Sequence, residues 1–216
     1  MKEFVLGSAF LMFISSLPAG VSNGHTVRLE PELAPQKAAF LQSFGNSLPP
    51  IGYVTFCREH EAECRPSGPY EGRVQLTAQK RNELERVNRY VNQSVSPVTD
   101  LDLYGKVEVW AYPTSGKGDC EDYVLLKRRM LIERGWPEST LLITVVRDEN
   151  NEGHAVLTVR TDVGDLILDN KRQQIVRWID TPYTFVKQQS DRNPLVWSSL
   201  APPSGDASQM TAAHGQ

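Results

Sequence analysis

The chain has few of the residues that mark nucleic-acid, membrane or zinc-binding proteins. Lysine and arginine total 23 against 26 acidic residues, so the net charge of −3 gives no basic field for nucleic acid. Three cysteines and four histidines do not form the two ligand pairs typical of structural zinc sites. After the first residues, no run reaches the ~18 apolar residues of a membrane-spanning helix. The hydrophobic content of 40% is sufficient for the core of one domain.

The first residues are typical of a secretory signal. Lys2 precedes an apolar stretch over residues 4–17, and small residues follow. We predict a signal peptide over residues 1–22, cut after Ala19 or after Ser22, with an uncleaved anchor as the alternative. The predicted location is periplasmic or secreted, and signal cleavage would leave no membrane segment on the protein.

The remaining chain predicts helices first and strands later. Apolar residues at three- and four-residue steps, with Thr77 as N-cap, indicate a helix over 78–94. Residues 98–118 show no period and predict a loop, and residues 119–134 predict the strongest helix, which Gly135 ends.

Branched apolar runs separated by turns then predict strands at 141–147, 154–160, 166–170, 175–179 and 183–187. This order indicates an α+β domain over residues 23–200. The tail 201–216 is rich in Ala, Pro, Ser and Gly, a composition that predicts disorder.

Cys120 is the candidate nucleophile. It falls in the first turn of the predicted helix 119–134, where free backbone N–H groups and the helix dipole favour a thiolate. A cysteine that only packs in the core is the alternative, although its neighbours are mainly polar. The backbone N–H of Cys120 is a natural oxyanion donor, and we expect the indole of Trp110 to be the second.

His154 and Asp169 are the candidate base and orienting carboxylate. They lie on two predicted strands that are joined by a short turn, so we expect them to meet as cross-strand neighbours. A carboxylate that follows the apolar run 166–168 needs a partner, and an imidazole would supply one. The alternatives are a solvated histidine at a hairpin end and an aspartate that starts a turn.

Acidic residues surround the candidate nucleophile, and they should raise its pKa by like charge. Helix capping and first-turn placement explain Asp119, Glu121 and Asp122 best on spacing alone. A bound Ca²⁺ is the alternative, because clustered oxygen ligands suit that ion.

Cys57 and Cys64 are close in sequence, and an oxidising compartment favours a disulfide between them. The alternative is a metal site with His60 as the third ligand, whose irregular spacing is poor for zinc.

Three runs of the chain resemble the bacterial transglutaminase-like cysteine proteinases in order and spacing. They are Gly118-Asp119-Cys120-Glu121-Asp122-Tyr123, Gly153-His154-Ala155-Val156-Leu157 and Leu168-Asp169-Asn170. The resemblance covers about residues 50–200, with flanking matches at Val87-Asn88, Val91-Asn92, Pro97, Asp100, Tyr104-Gly105, Trp110 and Pro113.

The resemblance implies a papain-like or transglutaminase-like fold in which the nucleophile helix packs on an antiparallel sheet. It implies a Cys120, His154 and Asp169 triad, no cofactor for the chemistry itself, and a Ca²⁺ ion beside the acidic residues that flank the nucleophile. Relatives are periplasmic proteases that release surface adhesins under an inner-membrane receptor. We therefore expect a cysteine endopeptidase with a protein substrate. A transglutaminase-like acyltransferase and a non-catalytic calcium-responsive binding module are the alternatives.

Overall fold

The computed structural model describes residues 39–202. The predicted signal peptide at 1–22 and all but the first two residues of the predicted disordered tail lie outside this range, so both stay predictions. None of the helices within 39–202 has the length and apolar content needed to cross a membrane.

Seven antiparallel strands form the main sheet of the described residues. In chain order, the strands are β1 (Asn46–Ser47), β2 (Ser96–Pro97), β3 (Lys117–Gly118), β4 (Leu141–Arg147), β5 (Gly153–Thr161), β6 (Gly164–Leu168), β7 (Val176–Arg177), β8 (Thr184–Gln189) and β9 (Trp197–Ser199). The main sheet has the order β1-β9-β8-β4-β5-β6-β7, while β2 and β3 form a separate parallel pair. Short turns join β4 to β5 and β5 to β6, and they make the centre of the sheet an antiparallel meander.

Within residues 39–202, four α-helices accompany the sheet, and their starts and stops follow from local chemistry. They are α1 (Ile51–Glu59), α2 (Ala78–Ser94), α3 (Asp100–Tyr104) and α4 (Cys120–Ile132). The Thr77 hydroxyl accepts from the Lys80 N–H at 3.2 Å and caps α2, which matches the predicted helix. Gly135, at a φ of 84°, adopts the left-handed conformation just after α4.

The core lies between α4 and the sheet, with α2 packed against α4. Leu84 of α2, Leu131 of α4 and Leu157 of β5 are fully buried. Burying each such side chain contributes roughly 1.5–3 kcal/mol. This packing fixes the N-terminus of α4 against β5, and it confirms the expected α+β arrangement.

The predicted loop 98–118 is only partly a loop. It contains α3, whose N-cap Thr99 accepts from the Asp102 N–H at 3.2 Å, and it also contains β3. A five-residue helix is too short to show an apolar period, which is why the pattern missed it. The short strands β1 and β9 were missed for the same reason.

Candidate active site

Cys120 is the first residue of α4 and is half-buried against β5. Its Sγ donates a hydrogen bond to Glu121 Oε2 at 3.1 Å, and the backbone N–H of Ala155 lies within hydrogen-bonding reach of the sulfur. Gly118 precedes this turn at a place where a Cβ would come within 2.5 Å of Asp122 Oδ2. Glycine is therefore required there for the chain to enter α4 in this geometry.

The surroundings of the thiol oppose its ionisation. Burial is the largest cause that raises the pKa of the Cys120 thiol well above its ordinary value, and the charge of Glu121 adds to it. The backbone N–H of Ala155 acts in the opposite direction. The helix N-terminus alone therefore does not produce a thiolate in the protein without a cation.

His154 and Asp169 are in direct contact at one end of the sheet. His154 Nε2 donates to Asp169 Oδ1 at 2.9 Å, and both side chains are almost completely buried. The β5–β6 register pairs Leu157 with Leu168, so Asp169 lies just beyond β6 and diagonal to His154 rather than directly opposite it. The sequence therefore predicted the contact, but not its exact register.

Asp169 remains ionised although it is buried. Burial raises its pKa, but hydrogen bonds from His154 and from the Tyr183 hydroxyl outweigh burial and hold the pKa below its ordinary value. The backbone N–H of Lys171 also donates to Oδ1 at 2.9 Å. The carboxylate can therefore fix the imidazole with its Nε2 proton toward Asp169 and its Nδ1 free for another partner.

Cys120 and His154 line the same cavity, which has a volume of about 330 Å³. Trp110 and Glu121 contribute to its wall, and Lys187 lies on another side. The structure thus brings the three predicted triad residues together. The thiol and the imidazole face the open space, and Asp169 supports the imidazole.

Trp110 lies in this cavity wall, but its indole N–H already has a partner. Nε1 donates to Glu108 Oε2 over a long 3.4 Å, and Glu108 has a φ of 59°. Trp110 also packs against Gly52, where an added Cβ would come within 2.2 Å of the indole. The predicted oxyanion role of Trp110 stays a prediction, because the indole proton would have to leave Glu108.

A cluster of carboxylates lies next to Cys120. Asp100, Asp119 and Glu121 each place one oxygen within 4.8 Å of the others. Asp119 is the N-cap residue of α4, as predicted, but its side chain does not cap the helix, and its Oδ2 accepts from the Asp100 N–H at 3.2 Å instead. Asp122, the third predicted residue, is not in this group and accepts from the Ala111 N–H at 2.8 Å.

The cluster lacks compensating charge. Burial is the main cause that raises the pKa of Glu121 to about 9, that of Asp122 to about 7, and that of Asp100 above its ordinary value. Oδ1 of Asp100, Oδ1 of Asp119 and Oδ2 of Asp122 are buried without a hydrogen-bond partner. Sequence reasoning had not assigned Asp100 to the site, although the Thr99-Asp100 pair has the form of a helix N-cap.

Cys57 of α1 forms a disulfide with Cys64, as predicted, and Cys120 is the free cysteine among residues 39–202. The metal alternative with His60 is therefore wrong. The His60 ring instead lies 4.5 Å from the Phe56 ring, and its Nδ1 lies 3.9 Å from Glu63.

The chain is similar to solved structures of LapG from Legionella pneumophila. Calcium-bound LapG of Legionella pneumophila is 24% identical over 62% of this chain and 76% of its own, with a TM-score of 0.49. The EGTA-treated form is 27% identical over 54% and 66%, with a TM-score of 0.46. A third LapG structure is 26% identical over 57% and 69%, with a TM-score of 0.47. No curated protein matches.

The family model described as bacterial transglutaminase-like cysteine proteinase, BTLCP, matches residues 43–204. This match includes α4, the central strands and every residue discussed above. The chain therefore belongs to the bacterial transglutaminase-like cysteine proteinase family and is a cysteine peptidase.

Proposed function

We propose that this protein is an exported endopeptidase that hydrolyses a peptide bond through a Cys120, His154 and Asp169 triad. The observation that carries the proposal is the hydrogen bond between His154 Nε2 and Asp169 Oδ1, which leaves Nδ1 for the cavity shared with Cys120. A nucleophile, a base and a group that orients the base are the components of covalent acyl transfer.

The geometry supports a mechanism of two half-reactions. His154 takes the proton from Cys120, and the thiolate attacks the peptide carbonyl carbon. The C–N bond breaks as His154 returns the proton to the leaving amine, and a thioester remains on Cys120. Water then attacks the thioester with His154 as base, and the acid product and the free thiol are released.

Two donors would stabilise the oxyanion of each tetrahedral intermediate. The backbone N–H of Cys120 belongs to the first turn of α4, where helical N–H groups lack helical acceptors. The indole of Trp110 is the second candidate, provided that the bound substrate draws its proton away from Glu108.

The acidic cluster fits a Ca²⁺ ion. Its donor set is all oxygen, and buried oxygens of Asp100 and Asp119 have no other partner. Asp100, Asp119 and Glu121 would hold the ion. When bound, it would supply positive charge that offsets the carboxylates beside Cys120 and so favours the thiolate.

The cellular context is part of the proposal. The predicted signal peptide supports a periplasmic or secreted location, and a peptidase acts on a protein substrate. The resemblance of the sequence to its family supports a surface or periplasmic protein as that substrate and an inner-membrane receptor as a regulator.

The test measures iodoacetamide alkylation of Cys120 against pH in calcium-containing buffer. We expect the wild-type protein to react at pH values well below 8.5, the approximate pKa of an ordinary thiol. His154→Ala should lose this reactivity, while His60→Ala, which changes a half-buried histidine that does not line the cavity, should keep it. Equal reactivity of wild type and His154→Ala would refute the triad.

A second assay distinguishes hydrolysis from the alternatives. Cleavage of a protein substrate should be lost in Cys120→Ala and in His154→Ala. Isopeptide formation with an added amine donor would instead show an acyltransferase. Calcium binding by calorimetry together with an unreactive Cys120 would show a binding module.

A further inference from the structure

Tyr183 contacts two of the three proposed triad residues. It lies immediately before β8, and its hydroxyl donates to Asp169 Oδ2 at 2.5 Å. Its ring meets the His154 imidazole edge to face, with ring centroids 5.5 Å apart and an interplanar angle of 70°. One side chain therefore touches the carboxylate and the base that the carboxylate orients.

The two oxygens of Asp169 have different donors. Oδ1 accepts from His154 Nε2 and from the Lys171 backbone N–H, whereas the hydroxyl of Tyr183 is the donor to Oδ2 within the described residues. A carboxylate held at one oxygen can turn about its Cβ–Cγ bond. Holding the second oxygen removes that freedom and keeps Oδ1 directed at the imidazole.

Tyr183 itself is well held. It is buried, and the Arg172 guanidinium lies 5.7 Å from the centroid of its ring. Burial and the neighbouring Asp169 raise the pKa of the Tyr183 hydroxyl, so it stays protonated and acts as a donor. Since a buried carboxylate oxygen without a donor is costly, the loss of this hydroxyl must disturb Asp169.

We infer that Tyr183 is a positioning residue of the peptidase, whose hydroxyl anchors Asp169 Oδ2 and thereby aligns His154 toward Cys120. This inference rests on the proposed triad. The contribution comes from the hydroxyl rather than from the bulk of the ring, which separates it from a packing role.

The experiment compares Tyr183→Phe, which keeps the ring, with Tyr53→Phe as the matched control. Tyr53 is also buried, and its hydroxyl accepts from Gln189 Nε2 at 2.6 Å without touching the triad. In calcium-containing buffer at pH 7, Tyr183→Phe should slow alkylation of Cys120 by about tenfold, the value of one buried hydrogen bond to a charged group. Tyr53→Phe should react as fast as wild type.

Proton NMR supplies a readout that packing alone would not change. The proton on His154 Nε2, bonded to Asp169, should give a downfield resonance that shifts in Tyr183→Phe and stays in place in Tyr53→Phe. 4-Aminophenylalanine at position 183 retains an N–H donor and should restore the rate to within about twofold of wild type. This variant also tests the inference if Tyr183→Phe does not fold.

The outcomes separate this inference from the triad proposal. If Tyr183→Phe reacts as fast as wild type while His154→Ala is slow, the triad stands and the role of Tyr183 is refuted. A slow 4-aminophenylalanine variant with intact folding would refute it as well. If His154→Ala reacts as fast as wild type, the triad fails and the inference fails with it.

Discussion

The acidic cluster beside Cys120 and the Asp169 carboxylate that supports His154 differ in how their charge is compensated. In the cluster, Asp100 and Glu121 have raised pKa values, and Asp100 has a buried oxygen without a partner. Asp169, by contrast, has a lowered pKa and accepts hydrogen bonds from His154 and Tyr183. Both groups are buried, so burial alone does not explain the difference.

The two places differ in the hydrogen-bond donors that reach the carboxylate oxygens. The protein completes the surroundings of Asp169 with its own N–H and O–H groups, whereas it brings several acceptors together around Asp119 and Glu121 without a cation. A buried carboxylate is stable when it is bonded and costly when it is not. The acidic cluster is therefore typical of a site that a bound cation completes, whereas the pair of His154 and Asp169 is preformed.

Neutralising a carboxylate should have opposite effects at the two places, and the larger effect is expected at Asp169. Asp169→Asn should lower peptide cleavage on the order of 10³-fold, because an amide cannot fix the imidazole tautomer or stabilise the imidazolium. Glu121→Gln should instead speed alkylation of Cys120 in calcium-free buffer above pH 9, where Glu121 is ionised and its charge opposes the thiolate. Slower alkylation in Glu121→Gln would break the comparison.

Calcium should act on the thiol through the acidic cluster. Adding EGTA should slow alkylation of Cys120 at pH 7 by about tenfold or more, because uncompensated carboxylates raise the pKa of the thiol. Asp100→Asn should weaken this calcium response. Asp102→Asn, an exposed neighbour on α3, is the control and should leave the response unchanged. An identical rate with and without calcium would remove the ion from the proposal.

The stability of the calcium-free protein should fall as pH rises. The pKa of Glu121 is about 9 in the folded protein, against an ordinary value of 4.5. Its contribution to stability is therefore full below pH 4.5 and is lost as the pH rises through the folded pKa of about 9. From pH 5 to pH 9 the loss should be on the order of 5 kcal/mol. Urea unfolding at both pH values measures it, and Glu121→Gln should remove most of the slope.

Lys127 should make stability depend on pH in the opposite direction and by a smaller amount. This lysine of α4 is fully buried, and its Nζ has no hydrogen-bond partner. Burial lowers its pKa to about 7 from 10.5, so the unfolded chain binds more protons between these values, and stability should rise with pH. Lys127→Met should abolish this rise and stabilise the protein by about 2 kcal/mol at pH 7. In a Glu121→Gln background, which removes the opposing titration, a free energy of unfolding that is the same at pH 7 and pH 9.5 would contradict the assignment.

Local patterns in the sequence were sufficient for the elements that carry the proposed triad. The apolar period and Thr77 predicted α2, and the charge pattern around Cys120 predicted the start of α4. His154 and Asp169 could be paired because a short turn joins their strands. Each of these inferences depends on residues near one another in the chain, where spacing determines geometry.

Tertiary structure alone decided the partners that arrive from elsewhere. Asp100 reaches Asp119 because α3 folds back beside the start of α4, and Tyr183 reaches Asp169 from the start of β8, the strand that pairs with β4. Asp119 occupies the predicted N-cap position, but its carboxylate bonds to α3 rather than to the first turn of α4 for the same reason. No residue spacing encodes such contacts. The physical reason is that they form only when packing brings distant segments together, and buried polar groups then take whichever partner the fold supplies.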